Sequence, residues 1–158
     1  MSSFTHLDDT GRVRMVDVSE KPATTRTAVA QGWVVMLPET FERIRDQRAR
    51  KGNVLETARI AGIMAAKKTA DLIPMCHPLS IRHAQVDFFF EPDGRRIRIE
   101  AVIRLVGQTG VEMEALTAVS IAALTIYDMC KSHDRSMSVS EIALTEKTGG
   151  KSGSFVRK

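Results

Sequence analysis

The chain has 158 residues, 43% of them hydrophobic, with 23 Lys and Arg against 19 Asp and Glu for a formal net charge of +4. That size and apolar share fit one domain with a core of ordinary size and leave no room for a second. The modest positive excess, with a pI near 9.3, points to an anionic partner without naming its class.

No run reaches the roughly 18 unbroken apolar residues of a membrane span, and Met1-Ser2-Ser3-Phe4-Thr5-His6 lacks the basic-then-apolar form of a signal peptide. A cytoplasmic protein is expected, with Cys76 and Cys130 as free thiols.

Residues 1–25 are polar and aperiodic and read as a mobile tail, hinged at Lys21-Pro22-Ala23-Thr24-Thr25-Arg26. From Arg26 to Met36 the chain has strand character, ended by Leu37-Pro38 with the proline at a helix N1 position. The short helix that follows buries only a stripe of Phe41 and Ile44. Asn53, with Glu56 three residues on, caps a second helix running to about Leu72. Its Ala58, Ala61, Gly62, Ala65 and Ala66 let another element approach closely.

Asp71-Leu72-Ile73-Pro74-Met75-Cys76-His77-Pro78-Leu79 is a stiff loop, because each proline removes a donor and disfavours helix before it. A long hairpin follows, with Ala84, Val86, Phe88 and Phe90 on the core face of one strand. Its partner alternates Ile97, Ile99, Ala101, Ile103 and Leu105 with Arg96, Arg98, Glu100 and Arg104.

The segment from Thr109 to Lys131 is the most apolar in the chain, and a helix apolar on all sides must be covered by protein. Thr109 and Glu112 form a capping-box pattern at its start, although Glu112 and Glu114, at i and i+2, can serve one site only if the helix begins later. A last strand slips phase near Ser140, as a bulge would produce. The plan is α+β: a ferredoxin-like split-βαβ order with a four-stranded antiparallel sheet and helices on one face. One domain spans residues 26–148, and the glycine-rich residues 149–158 read as a flexible tail.

Asp128 interrupts the run Ile126-Tyr127-Met129-Cys130, with Lys131 at i+3. The pair is either an ordinary ion pair on an exposed last turn, which the local pattern favours, or a carboxylate tuned for chemistry. His77, between Cys76 and Pro78, is either a positioned acid/base or a tie within the loop. Gly150-Lys151-Ser152 is not a P-loop, because position 145 is threonine and too little chain follows for a helix. What remains is either a basic segment that orders on an anionic ligand or a frayed end.

A structural zinc site is excluded by the lack of CxxC and HxxxH spacings. Phe88-Phe89-Phe90 opposite arginines would suit an RNA-binding sheet, so a basic ferredoxin-like nucleic-acid-binding module is the alternative function. The glycine-aromatic pattern of that module is missing.

Several blocks in order resemble the cyclic pyranopterin monophosphate synthase family of molybdenum cofactor biosynthesis. They are Lys51-Gly52-Asn53-Val54, Ala58-Arg59-Ile60-Ala61-Gly62-Ile63, Asp71 to Leu79, Thr109 to Ala118, Leu124 to Lys131 and Gly149 to Gly153. The match covers about Val16 to Gly153, with no departure at a motif position. The resemblance implies a cytoplasmic homo-oligomeric lyase, a hexamer built as a trimer of dimers with sites shared between chains. It acts on a small nucleotide-derived triphosphate, a 3′,8-cyclised dihydro derivative of GTP, and expels pyrophosphate.

By the same resemblance Lys51, Asp128 and Lys131 are catalytic, with His77 beside them. Met75, Cys76, His77, Glu112, Met113 and Glu114 contact substrate, and Arg26, Lys67, Lys147 and Lys151 hold phosphate or pterin. Neither metal nor resident cofactor is expected, Mg²⁺ entering only with the triphosphate, and neither nucleic acid nor membrane is a partner.

Overall fold

The computed structural model describes residues 6–158, so the first five residues of the expected N-terminal tail lie outside the described residues. The elements run β1 (Thr24–Val35), α1 (Pro38–Arg45), α2 (Val54–Lys67), α3 (Thr69–Leu72), β2 (His83–Phe90), β3 (Arg96–Gly107), α4 (Glu112–Cys130), β4 (Ser138–Thr148) and β5 (Phe155–Val156). The antiparallel sheet has the order β2-β3-β1-β4-β5. The α+β, split-βαβ plan holds, with five strands rather than four: Phe155 and Val156, in the segment read as a tail, pair with Lys147 and Glu146.

Period-2 alternation decides which side of the sheet is buried. Ala28, Ala30 and Val34 of β1 point to the same side as Ile97, Ile99, Ala101, Ile103 and Leu105 of β3 and Val86 of β2, and all are essentially inaccessible to water. The helices α2 and α4 cover that face. The other face is polar: Gln31 donates to Glu100 at 2.7 Å, and Arg98 pairs with Glu100 and Glu91.

α4 is long and apolar enough to cross a membrane by length and composition, yet it packs on β1, β3 and β4 on one side and α2 on the other. The two helices approach closely because α2 presents Gly62 and Ala58 at the crossing. A Cβ on Gly62 would sit 2.9 Å from the Ala118 carbonyl oxygen and 3.2 Å from a Val86 methyl.

Two expectations change in detail, and a third holds. The second helix breaks at Lys68, whose backbone closes a turn onto Ala65 before the short α3 begins. Phe90 is not core: it is 37% exposed and meets Phe41 edge-to-face at 5.1 Å, while Phe88 is half-buried against the core. The bulge at β4 is real, with Glu141 at φ 54°, and a second register shift follows between Val29 and Ala30.

Asp134, a buried carboxylate whose role was not apparent from spacing, ties the start of α1 to the chain after α4. Its Oδ2 accepts from Leu37 N–H at 2.8 Å and its Oδ1 from Ser136. Burial pushes its pKa up, but the Leu37 and Ser136 donors outweigh that and hold it below the usual carboxylate value.

Gly62→Val is expected to destabilise the protein by about 1–3 kcal/mol, because the added methyls must separate two packed helices. Thermal melting checks this; a variant melting with the wild type would contradict the close crossing.

Candidate active site

The near end of α4 is set by what does not happen there. No capping box forms: the N-cap is Val111 without a side-chain cap, and α4 starts at Glu112. The Glu112 carboxylate instead accepts from Lys147 Nζ of β4 at 2.6 Å. Although i and i+2 within the first turn, Glu112 and Glu114 both line one cavity.

Glu114 is only 4% exposed and, with Met75, Cys76, His77 and Met113, lines a cavity of about 380 Å³. Burial, reinforced by the neighbouring Glu112 charge, pushes its carboxyl up to about 7. It can therefore hold or release a proton near neutrality. Burial and the Glu114 charge also raise the Cys76 thiol, and burial takes Cys130 to about 11, so both cysteines are neutral thiols. His77 Nε2 lies 2.8 Å from the Val16 carbonyl. A carbonyl only accepts, so Nε2 carries the hydrogen in this contact.

Beside this lies a larger cavity of about 830 Å³ with a cationic wall of Lys21, Arg26, Lys147 and Lys151. Arg26 is in phase with Ala28 and Ala30, so it falls on the core face of β1 and is 8% exposed. Its guanidinium donates to the Gly107 and Gln108 carbonyls. Gly149 and Gly150, at φ 97° and 76°, wrap over it, and a Cβ on Gly150 would collide with the guanidinium. Lys67, the last residue of α2, stands beside Thr69, Pro78 and Glu114 at this same end.

The far end of α4 carries the other group. Asp128 Oδ1 meets Lys131 Nζ at 2.7 Å, and Oδ2 meets Lys51 Nζ at 3.3 Å, with Lys51 also donating to the Asp128 carbonyl at 3.0 Å. Lys131 and then Lys51 hold the Asp128 carboxyl below its ordinary value, and Asp128 raises Lys131. All three side chains are about half exposed, at 58% for Asp128, 48% for Lys51 and 52% for Lys131.

The fourteen or so residues of helix between Glu114 and Asp128 correspond to about 21 Å, so one chain does not bring the two groups together. Met75, Cys76, His77, Glu112, Met113, Glu114, Arg26, Lys67, Lys147 and Lys151 gather at the near end; Lys51, Asp128 and Lys131 stand alone at the far end. His77, grouped with the catalytic set by resemblance, lies with the near-end residues. Sequence reasoning missed Lys21, Thr24 and Gln108, hidden in or beside a stretch without periodicity.

The aromatic run of β2 has its faces occupied. Arg98 lies 4.2 Å over Phe89 and Arg59 5.4 Å over Phe88, with Arg59 held by Asp87 and the Val86 carbonyl. Base stacking would have to displace these cations, which disfavours the nucleic-acid reading.

The model of the MoaC family matches residues 15–150. The chain is similar to a protein named cyclic pyranopterin monophosphate synthase from Desulforapulum autotrophicum, 64% identical over 99% of this chain and 96% of the relative. Proteins of the same name from Desulfatibacillum aliphaticivorans and Desulfitobacterium hafniense are 63% identical over 100% of this chain and 99% of the relative, and 60% identical over 98% and 94%.

Because the Glu114 carboxyl lies above its ordinary value of 4.5 when folded, at about 7, folding favours its protonated form. That contribution is whole below pH 4.5 and is lost as pH rises through about 7, amounting to up to about 3 kcal/mol. Glu114→Gln is expected to remove this slope, so its melting temperature gains on the wild type across that window. Parallel melting curves from pH 4 to 8 would refute the burial effect.

Proposed function

The chain belongs to the MoaC family, and from that membership we infer that it is a lyase of molybdenum cofactor biosynthesis, a cyclic pyranopterin monophosphate synthase. It converts 3′,8-cyclo-7,8-dihydroguanosine 5′-triphosphate to cyclic pyranopterin monophosphate with release of pyrophosphate. The observation that supports a mechanism is the division of chemistry between the ends of α4. A cation-walled cavity with a proton-holding carboxyl is at one end, and an ionised acid clasped by two ammonium groups is at the other.

In this reading Arg26, Lys147 and Lys151 hold the phosphate chain and neutralise the charge that collects on the departing pyrophosphate. Met75, Cys76, His77 and Met113 wall the ring system, and Glu112 keeps Lys147 aimed into the cavity. Glu114 and His77 Nδ1 supply hydrogen bonds and proton exchange to the ring. Lys67 adds charge beside Glu114. Asp128, with Lys51 and Lys131, carries the proton transfers of the rearrangement, the carboxylate accepting and the ammonium groups donating. No resident cofactor takes part.

Because the ends stand about 21 Å apart, a complete site needs the near end of one chain and the far end of another. A homo-oligomer follows, in the reading a trimer of dimers working in the cytoplasm. Ile60 and Met64 of α2 and Leu124 of α4, all more than half exposed, give the outer helical layer an apolar surface consistent with assembly.

Two measurements test this. Asp128→Asn keeps shape but cannot ionise, so conversion of the cyclised substrate is expected to fall at least about a hundredfold with melting little changed. Turnover near the wild-type rate would remove Asp128 from the mechanism. Mixing Asp128→Asn chains with equally inactive Lys147→Ala chains, after subunit exchange, is expected to restore about a quarter of the activity if every site takes one end from each chain. No recovery, with exchange confirmed, would place the whole site within one chain.

A further inference from the structure

The segment leading into β1 has little buried surface, yet it is fixed at several points. The Val16 carbonyl meets His77 Nε2, and the Ser19 carbonyl accepts from Gln108 Nε2 at 3.2 Å. Asp17 Oδ1 closes the turn by accepting from Ser19 N–H at 2.9 Å and Ser19 Oγ at 2.7 Å, and Lys21 N–H donates to the Val18 carbonyl at 3.0 Å. Pro22 then restricts the backbone before β1 begins. Residues 16–21 are thus clamped between the Cys76-His77 loop and the end of β3.

The clamp places Lys21 where the two cavities meet. It lines both the 830 Å³ cavity and the 380 Å³ cavity, whereas Arg26, Lys147 and Lys151 line only the larger. Among the described residues no carboxylate lies within 4.0 Å of its ammonium group, while Glu112, which lines both cavities, is held by Lys147. The larger cavity also contains Thr24, whose buried hydroxyl has no hydrogen-bond partner among the described residues. A cation without a counter-ion and a buried hydroxyl without a partner on one wall are both satisfied by a single anionic group.

We propose that Lys21 is a substrate-binding residue that grips the phosphate nearest the ring system at the junction of the two cavities, with Thr24 Oγ donating to the same phosphate chain. Arg26, Lys147 and Lys151 take the outer two phosphates. The proposal rests on the lyase reading above. It makes residues 16–21 a structural wall of the site rather than a free tail, and it assigns Lys21 to the phosphate that the product retains instead of to the pyrophosphate that leaves.

The test uses the full-length protein with Lys21→Met, Lys21→Arg and Thr24→Val. Calorimetric titration with inorganic tripolyphosphate and with pyrophosphate is combined with kcat and KM for the cyclised substrate. A charge-assisted contact of this kind is expected to cost Lys21→Met about tenfold or more in tripolyphosphate affinity and in kcat/KM. Pyrophosphate binding should stay within about twofold, and Lys21→Arg should recover most of the loss. Thr24→Val, close to isosteric, should weaken tripolyphosphate binding with melting unchanged. Active wild type with Lys21→Met and Thr24→Val both unchanged in tripolyphosphate affinity and kcat/KM would overturn the proposal alone. Equal loss of pyrophosphate and tripolyphosphate binding in Lys21→Met would overturn the assignment to the inner phosphate. A wild type that does not convert the cyclised substrate would overturn the lyase reading and this proposal with it.

Discussion

The burial of α4 governs this molecule. A helix of 19 residues with Ala115, Ala118, Val119, Ala122, Ala123 and Ile126 fully shielded needs a sheet beneath it and a helix against it, and only an outer stripe that includes Leu124 is left open. The sheet supplies one cover through the isoleucines of β3 and the alanines of β1. α2 supplies the other, and Gly62 at the crossing sets how near it comes. With its middle committed to packing, α4 has only its two ends left for polar chemistry. Its stiffness then fixes how far apart those ends stand.

Electrostatics divides the ends sharply. At the near end one carboxyl, Glu112, is paired, and its neighbour Glu114 is buried with no ion pair among the described residues and is pushed up to about 7. At the far end Asp128 is exposed and kept ionised by two lysines. Exposed ion pairs of that sort contribute little to stability, so the meeting of Lys51, from the loop before α2, and Lys131, the C-cap of α4, on one carboxylate adds little to the fold. The two ends therefore differ in kind: one has a cavity with a cationic wall and a carboxyl that holds its proton near neutrality, and the other an ionised carboxylate.

Much of the site is held by backbone and polar ties rather than by burial. The Val16 and Ser19 carbonyls fix the segment before β1, and the paired glycines at 149 and 150 drape the C-terminal segment over Arg26. β5 then returns the chain to β4, with Arg157 donating to the Leu144 carbonyl. Segments anchored through a few exposed hydrogen bonds are the ones that open at low free-energy cost, a property suited to walls that admit and release a ligand.

By itself the sequence determined the elements whose signal is local periodicity or turn chemistry: the β2–β3 hairpin, the bulge in β4, the Asn53 cap of α2, and α4 as a core helix. It also marked Asp128 as an anomaly and, through its ordered blocks, the family and the residues worth watching. Tertiary structure alone decided the rest. Thr109 and Glu112 match a capping box, but Lys147, which is 35 residues away, competes for the Glu112 carboxylate and wins with a 2.6 Å ion pair. Phe90 has the phase of a core residue, but as the last residue of β2 it stays partly exposed and meets Phe41 of α1 edge-to-face. Lys21 sits in a stretch without periodicity, and its place at the junction of two cavities depends on anchors at His77 and Gln108. In each case the deciding partner is far away in sequence, and a local pattern carries no information about which distant group will arrive to compete.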